Sequence, residues 1–156
     1  MSRTPLWSAE FLSKDRVKAA RDIERTSEFF AEPDISAGER AELDDYRRSG
    51  YDRGHLAPSG DMPSQQAQQE SFSLANIVPQ NGALNRGLWA DLEQDVRSTI
   101  YRYGVGYIVT GPMFRGDTVN TLRGRVMVPT HMWKAVHIPG IGAVAVVATN
   151  NEPSHI

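Results

Sequence analysis

The stretch Tyr51-Asp-Arg-Gly-His-Leu-Ala-Pro58 sets one histidine directly after an acid, an arginine and a glycine. A histidine of ordinary pKa, about 6.5, is largely neutral at pH 7 and can take a proton from water. His55 is therefore a candidate general base, weighed against the commoner fate of a strand histidine, a hydrogen-bonded structural residue. Gly54 has no side chain to keep another backbone or a ligand at a distance. A second stretch, Ser73-Leu-Ala-Asn-Ile-Val-Pro-Gln80, leads into Gly82-Ala-Leu-Asn-Arg-Gly-Leu-Trp-Ala-Asp-Leu-Glu93. Asn85 falls in the first turn of a helix and reads in two ways. It is either an N-terminal cap or an amide-oxygen ligand for Mg²⁺, a hard ion that keeps several waters and uses few protein ligands. On a continuous helix Glu93 would stand about 80° round from Asn85 and roughly 12 Å along the axis. Direct binding of one ion by both is then awkward. A carboxylate acting through water stands beside the plainer reading of a solvated helix glutamate.

The elements that must position these residues follow from the pattern around them. Leu6 to Leu12 reads as a strand, and Ser36-Ala-Gly-Glu39 as a capping box that starts a short helix through Ala41, Leu43 and Tyr46. Tyr51 to Ala57 reads as a strand ending at Pro58, with a turn at Ser59-Gly60-Asp61 and a short surface helix from Ser64 to Glu70. Phe72 to Val78 reads as a strand stopped by Pro79. From Ala83 to Tyr103 the residues Leu84, Leu88, Leu92, Val96 and Ile100 recur every fourth position, and Trp89 widens the stripe. That periodicity predicts one long amphipathic helix, ended by Gly104. Strands are expected at Val105 to Thr110, Arg125 to Val128, Met132 to Ile138 and Ile141 to Ala148. Strands around one long helix point to an α+β domain with a central, largely antiparallel sheet.

Composition narrows the class without naming it. The length of 156 residues suits a single domain, 1–156. With no cysteine, a disulfide framework, a thiol nucleophile and a cysteine-based zinc site are all excluded. No run approaches the roughly 20 apolar residues of a membrane span, and Met1 to Ala20 carries charges throughout, unlike a signal peptide. The net charge of −2 does not favour a polyanion, yet the cations are 14 Arg against 3 Lys. Arginine's planar fork suits bidentate phosphate contacts. His131 and His137 share a strand-like face but lack an acidic partner, so structural or surface roles are expected of them. Trp89, Tyr101 and Tyr103 could stack on bases, with Trp89 reading better as core.

Taken in order, the motifs resemble those of the DNA/RNA non-specific endonucleases, the ββα-metal family with a DRGH signature that is related to endonuclease G. Asp52-Arg53-Gly54-His55 resembles that signature, with Asp45-Tyr46 and Ser49-Gly50 upstream and His55-Leu-Ala-Pro58 downstream. Asn76-Ile-Val-Pro-Gln80 resembles its NxxPQ segment, and Leu84-Asn85-x-Gly87-x-Trp89-x-x-Leu92-Glu93 its metal-ligand helix. Val109-Thr-Gly-Pro112 is similar to a later strand and turn. Arg25-x-x-x-Phe29-x-x-Glu32 resembles an upstream arginine block, with Glu32 where the family usually has Asp.

The resemblance implies a ββα-metal nuclease fold in which His55 deprotonates the attacking water and Asn85 is the only direct protein ligand of the ion. It further implies that Glu93 acts on that ion through water, that Asn76 orients the site and its waters, and that Arg53 supports the site or contacts phosphate. Arg25 would contact the phosphate or stabilise its transition state. The implied cofactor is Mg²⁺, with Mn²⁺ or another divalent ion as a substitute. The implied partners are DNA and RNA, cleaved to 5′-phosphate and 3′-hydroxyl ends, and an inhibitor or immunity protein. A homodimer is compatible with this reading and a membrane is not expected. Relative to the family pattern the chain is short at both ends, and a secreted or delivered bacterial nuclease, such as a toxin module, is the expected setting. The alternative is a catalytically silent module of the same fold that binds nucleic acid or an inhibitor.

Overall fold

The computed structural model describes residues 1–26 and 28–151, so the end of the expected 1–156 domain lies outside the described residues. Strand β1 (Ser8–Ser13) runs straight into helix α1 (Lys14–Arg21), which the sequence reading left unassigned. The Ser13 side chain caps that helix by accepting from the Arg16 amide at 3.2 Å, and Val17 and Ala20 face inward. A Ser cap, an acid in the first turn and basic residues in the last were its available signals. The capping box lies later than expected. Ser36 bonds to Glu39 within a turn, whereas helix α2 (Leu43–Tyr46) opens on a reciprocal box between Glu42 and Asp45. A carboxylate at the cap position does the work of the usual hydroxyl.

Strand β2 (Asp52–His55) is followed by a 3₁₀ turn at Ser59–Asp61 and helix α3 (Gln65–Glu70). The strand expected over Phe72 to Val78 divides in two: Leu74–Asn76 forms a 3₁₀ turn, and strand β3 (Ile77–Gln80) begins after it and runs through Pro79. Pro79 is tolerated because β2 and β3 make a two-stranded ribbon, whose outer edge asks for no donor. The single long helix is in fact two, α4 (Gly82–Arg86) and α5 (Leu88–Tyr103). They part at Gly87, whose ψ of −107° departs from helical geometry and where a Cβ would press on the Ala83 carbonyl at 2.7 Å.

Strand β4 (Val105–Met113) returns along β1, a small ribbon of β5 (Thr121–Leu122) and β6 (Val126–Met127) follows, and β7 (His131–Ile138) and β8 (Gly142–Thr149) complete an antiparallel sheet of order β1-β4-β7-β8. Helix α5 lies on one face of this sheet. Leu12, Val17, Val96, Ile100 and Ile108 pack together there, beside a second cluster of Leu56, Val78, Leu84, Trp89, Met132 and Ala148. Spacing of four drifts about 40° per repeat round a helix of 3.6 residues per turn. The expected stripe therefore does not stay on one face: Trp89 is 1% exposed in the core while Leu88 is 67% exposed. Among the described residues no helix is long and apolar enough to cross a membrane.

Candidate active site

Ribbon pairing places His55 opposite Ile77 and Gly54 opposite Val78, so the histidine leaves the end of β2 with its backbone held on one side. Gly54 is required by close approach, because a Cβ there would collide with the side chain of the fully buried Gln80. The His55 imidazole stands edge-on to Phe72, with ring centroids 4.7 Å apart, and 5.6 Å from Phe29. Its Nε2 is buried without a hydrogen-bond partner among the described residues. Burial, and after it the Arg25 guanidinium, push its pKa from 6.5 down to about 4. A ring held neutral in this way has a lone pair free to accept a proton.

Asn85 is not the cap of its helix. That place belongs to Asn81, whose side chain accepts from the Leu84 amide at 3.0 Å. The Asn85 side chain donates through Nδ2 to Asp52 Oδ2 at 3.0 Å, and Arg86 Nε reaches the same oxygen at 3.0 Å. Held by that guanidinium, the carboxylate accepts only, so the amide must turn its nitrogen toward Asp52 and present its oxygen elsewhere. Asn85 lines a cavity of about 720 Å³ together with His55, Arg25, Arg53, Asp52 and Glu93. The residues that the sequence singled out thus converge, apart from Asn76. Asn85 and Glu93 do so from two helices, which removes the single-helix geometry expected of them.

Asn76 has a different task. Its Nδ2 donates to the carbonyls of Ala57 and Ser71, both at 2.9 Å, and its oxygen accepts from the Ala57 amide at 3.0 Å. Both amide protons are spent on backbone, so Asn76 clamps the loop that follows His55 and has no donor left for the site's waters. Arg53 lies between the rings of Phe29 and Tyr46, at 5.6 and 5.8 Å, and donates to the Leu43 carbonyl at 3.3 Å. Arg25 stacks over Phe72 at 5.1 Å.

Behind the cavity floor lie charges that the sequence did not announce. Burial is the main reason why the Glu93 carboxyl rises from 4.5 to about 7; Asp61 adds to the rise, while Lys134, Arg97 and Arg25 oppose it. Asp61 is 3% exposed and accepts from Arg97 Nη1 at 2.8 Å. Arg97 also lines the cavity; its position one turn after Glu93 was the available signal. On the other side, Glu10 is pushed well above the ordinary carboxylate range, first by burial and then by Asp61. Both Glu10 oxygens are buried without a donor among the described residues. Once protonated, the carboxyl becomes a donor that can share its proton with Asp61.

The electrostatics of the cavity differ from those of the chain. Four arginines (Arg25, Arg53, Arg86 and Arg97) line it against Asp52 and Glu93, so a net charge of −2 for the whole chain coexists with a basic cleft. A cleft of one sign focuses the field on a phosphodiester. The donor set also fits a hard divalent cation: one neutral amide oxygen whose direction is set by Asp52, and one carboxylate in the same cavity. Among the described residues no group of three His, Cys, Asp or Glu side chains forms a cage. His131 and His137 lie elsewhere, His131 against the Thr130 hydroxyl at 2.8 Å and His137 stacked on Tyr107 at 6.3 Å.

Comparison with known proteins gives the same direction. The family described as DNA/RNA non-specific endonuclease matches residues 1–153. The chain is 39% identical over 149 residues to Nuclease C1 of Cunninghamella echinulata var. echinulata, covering 88% of this chain and 59% of that one. It is 34% identical over 152 residues to human mitochondrial endonuclease G, covering 90% of this chain and 51% of that one. In three dimensions it is similar to a chain in the crystal structure of the EndoG/EndoGI complex, with a TM-score of 0.89, 30% identity, and coverage of 98% of this chain and 69% of that one. The chain therefore spans little more than half the length of these relatives, and the ββα-metal architecture is shared. The mitochondrial relative gives no support to the expected secreted or delivered bacterial nuclease.

Proposed function

This chain belongs to the DNA/RNA non-specific endonuclease family, and from that premise we propose that it hydrolyses DNA and RNA phosphodiester bonds with a divalent cation. The observation that carries the reading is the convergence in one basic cleft of a neutral buried His55 and an Asn85 amide whose oxygen is freed by Asp52.

Asn85 would hold the ion directly and Glu93 through water. When bound, Mg²⁺ supplies charge neutralisation for the phosphate oxygens and the departing oxygen. The chain's own groups do the rest. His55 takes a proton from the water whose oxygen bonds to phosphorus, and the bond from phosphorus to the 3′-oxygen breaks. That oxygen is protonated from solvent, leaving 5′-phosphate and 3′-hydroxyl ends. Arg25 adds charge-assisted hydrogen bonds to the phosphate. Arg53, held between two rings, keeps its charge beside the site. Asn76 fixes the loop after His55. Contacts to phosphate and ion rather than to base edges make the cleavage largely blind to sequence.

The test is incubation with supercoiled plasmid and with single-stranded RNA, in Mg²⁺ or in EDTA, beside His55→Ala and Asn85→Ala. Loss of cleavage in EDTA and in both variants, with folding retained, is expected. Cleavage by His55→Ala at the wild-type rate would overturn the mechanism. A second reading, capture by a protein inhibitor, is favoured by the solved EndoG/EndoGI complex. It is compatible with the first, since an inhibitor would cover the same cleft.

A further inference from the structure

Lys134 is 2% exposed, and a lysine is almost never fully buried unless it is paired. Among the described residues it forms no ion pair. Its Nζ instead donates to Thr110 Oγ1 at 2.7 Å and sits 5.6 Å from the Trp89 ring centroid. The register of β4 and β7 makes Thr110 and Lys134 cross-strand partners, so the hydroxyl waits where the ammonium arrives. This accounts for Thr110 of the Val109-Thr-Gly-Pro112 motif, which the cleavage chemistry does not use.

The ammonium lies inside a cluster. Its charge is felt by Glu10 on β1 and by Glu93 on α5, one turn beyond the Trp89 ring that it approaches. Asp61 acts on both of the same carboxylates and is itself bound to Arg97. Three carboxylates therefore meet beneath the cavity floor, and mutual repulsion would drive Glu93, the one with access to solvent, outward. Arg97 is committed to Asp61. Lys134 is the remaining cation inside, held at a set depth by a neutral hydroxyl rather than neutralised by one acid.

We infer that Lys134 is a positioning residue for Glu93: its buried ammonium, fixed by Thr110, is the counter-charge that keeps the Glu93 carboxylate drawn back at the metal side of the cleft. The inference rests on the metal-dependent reading above. It also has a sign that separates it from simple electrostatics. Deleting a cation near a dication site should tighten metal binding if charge repulsion were the whole effect, whereas loss of a positioned carboxylate weakens it.

The experiment measures Mn²⁺ binding by electron paramagnetic resonance of the free ion, alongside plasmid cleavage against Mg²⁺ concentration. The variants are Lys134→Met, Thr110→Val and the double variant Glu10→Gln/Lys134→Met, each with a thermal melt. Lys134→Met is expected to bind Mn²⁺ about tenfold more weakly and to need correspondingly more Mg²⁺, in the range for a residue supporting a metal ligand. Thr110→Val should move both in the same direction by less. The double variant removes a buried acid with the cation, so it should melt closer to wild type than Lys134→Met while keeping the weakened metal response. It carries the test if Lys134→Met alone fails to fold. Folded variants that bind Mn²⁺ as tightly as wild type, or more tightly, would overturn the inference. A wild-type protein that cleaves nothing, yet shows the Mn²⁺ shift on Lys134→Met, would leave the inference standing and overturn the nuclease reading instead.

Discussion

Asp52 and Asn85 are 33 residues apart in sequence, and their side chains meet at 3.0 Å, with the amide nitrogen donating to the carboxylate. This one contact chooses which end of the amide the cleft receives. Asp52→Ala removes the acceptor and lets the Asn85 amide rotate, so its oxygen is no longer pre-aimed. The expected result is a rise of 10- to 100-fold in the Mg²⁺ needed for half-maximal cleavage, about the usual cost of losing such a support, with partial recovery at high Mg²⁺. A titration of rate against Mg²⁺ checks this, and an unchanged midpoint would remove Asp52 from the metal side of the site.

His55 and Glu93 are expected to pull stability in opposite directions with pH. His55 titrates near 4 when folded and at 6.5 in an ordinary setting, so between these values the unfolded chain binds more protons and stability rises with pH. Glu93 titrates near 7 when folded and at 4.5 ordinarily. Across that window the folded state holds more protons, so stability falls as pH rises. Each effect is roughly 3 kcal/mol at about 1.4 kcal/mol per pH unit, and in EDTA they nearly cancel in the wild type. Urea melts at pH 4.5 and 6.5 should then show Glu93→Gln gaining stability toward pH 6.5 and His55→Phe losing it. Flat behaviour in both variants would contradict the assignment.

Arg25 acts on His55 by lowering its pKa. Arg25→Ala should therefore move the acid limb of the kcat/KM profile to higher pH. Cleavage should also fall by about 10²- to 10³-fold, as when one preorganised donor to a transition-state oxygen is lost. Arg25→Lys keeps the charge but not the fork, so it should restore the position of the limb and little of the rate. A limb that stays in place in Arg25→Ala would sever the coupling.

Gly54→Ala tests the ribbon without touching the chemistry. The new methyl would strike the Gln80 side chain, which is 0% exposed and has nowhere to move. Overpacking of this kind costs about 1–3 kcal/mol, visible as a lower melting temperature. A melt equal to wild type would show that Gln80 can give way.

The candidate site was largely legible in the sequence because its most telling residues are locally clustered. Asp52 to His55 sit on one strand, and Asn85 and Glu93 follow within a short span. Short-range order of this kind survives in a linear reading. The helix boundaries did not, since Gly87 looks like any tolerated helix glycine until its backbone angles are known. The expected strand at Phe72 failed because the Ser73 side chain bonds back to the Ala75 amide, the local competition that favours turns over ladders. Asn76 matched the family pattern, but its environment assigned it to backbone rather than to water.

By itself the sequence determined the chemical inventory: a histidine base, an amide ligand, an excess of arginine over lysine, no thiol, and enough periodicity for an α+β domain. Those properties depend on residue type and near-neighbour spacing. Only the tertiary structure decided how the inventory is tuned. Burial among Phe29, Phe72 and the Arg25 charge sets the state of His55, and Asp52 sets the direction of Asn85. Glu10, Asp61 and Lys134 reach Glu93 from three separate segments of the chain. Electrostatic interaction depends on distance and local dielectric, and neither is written in the order of the residues.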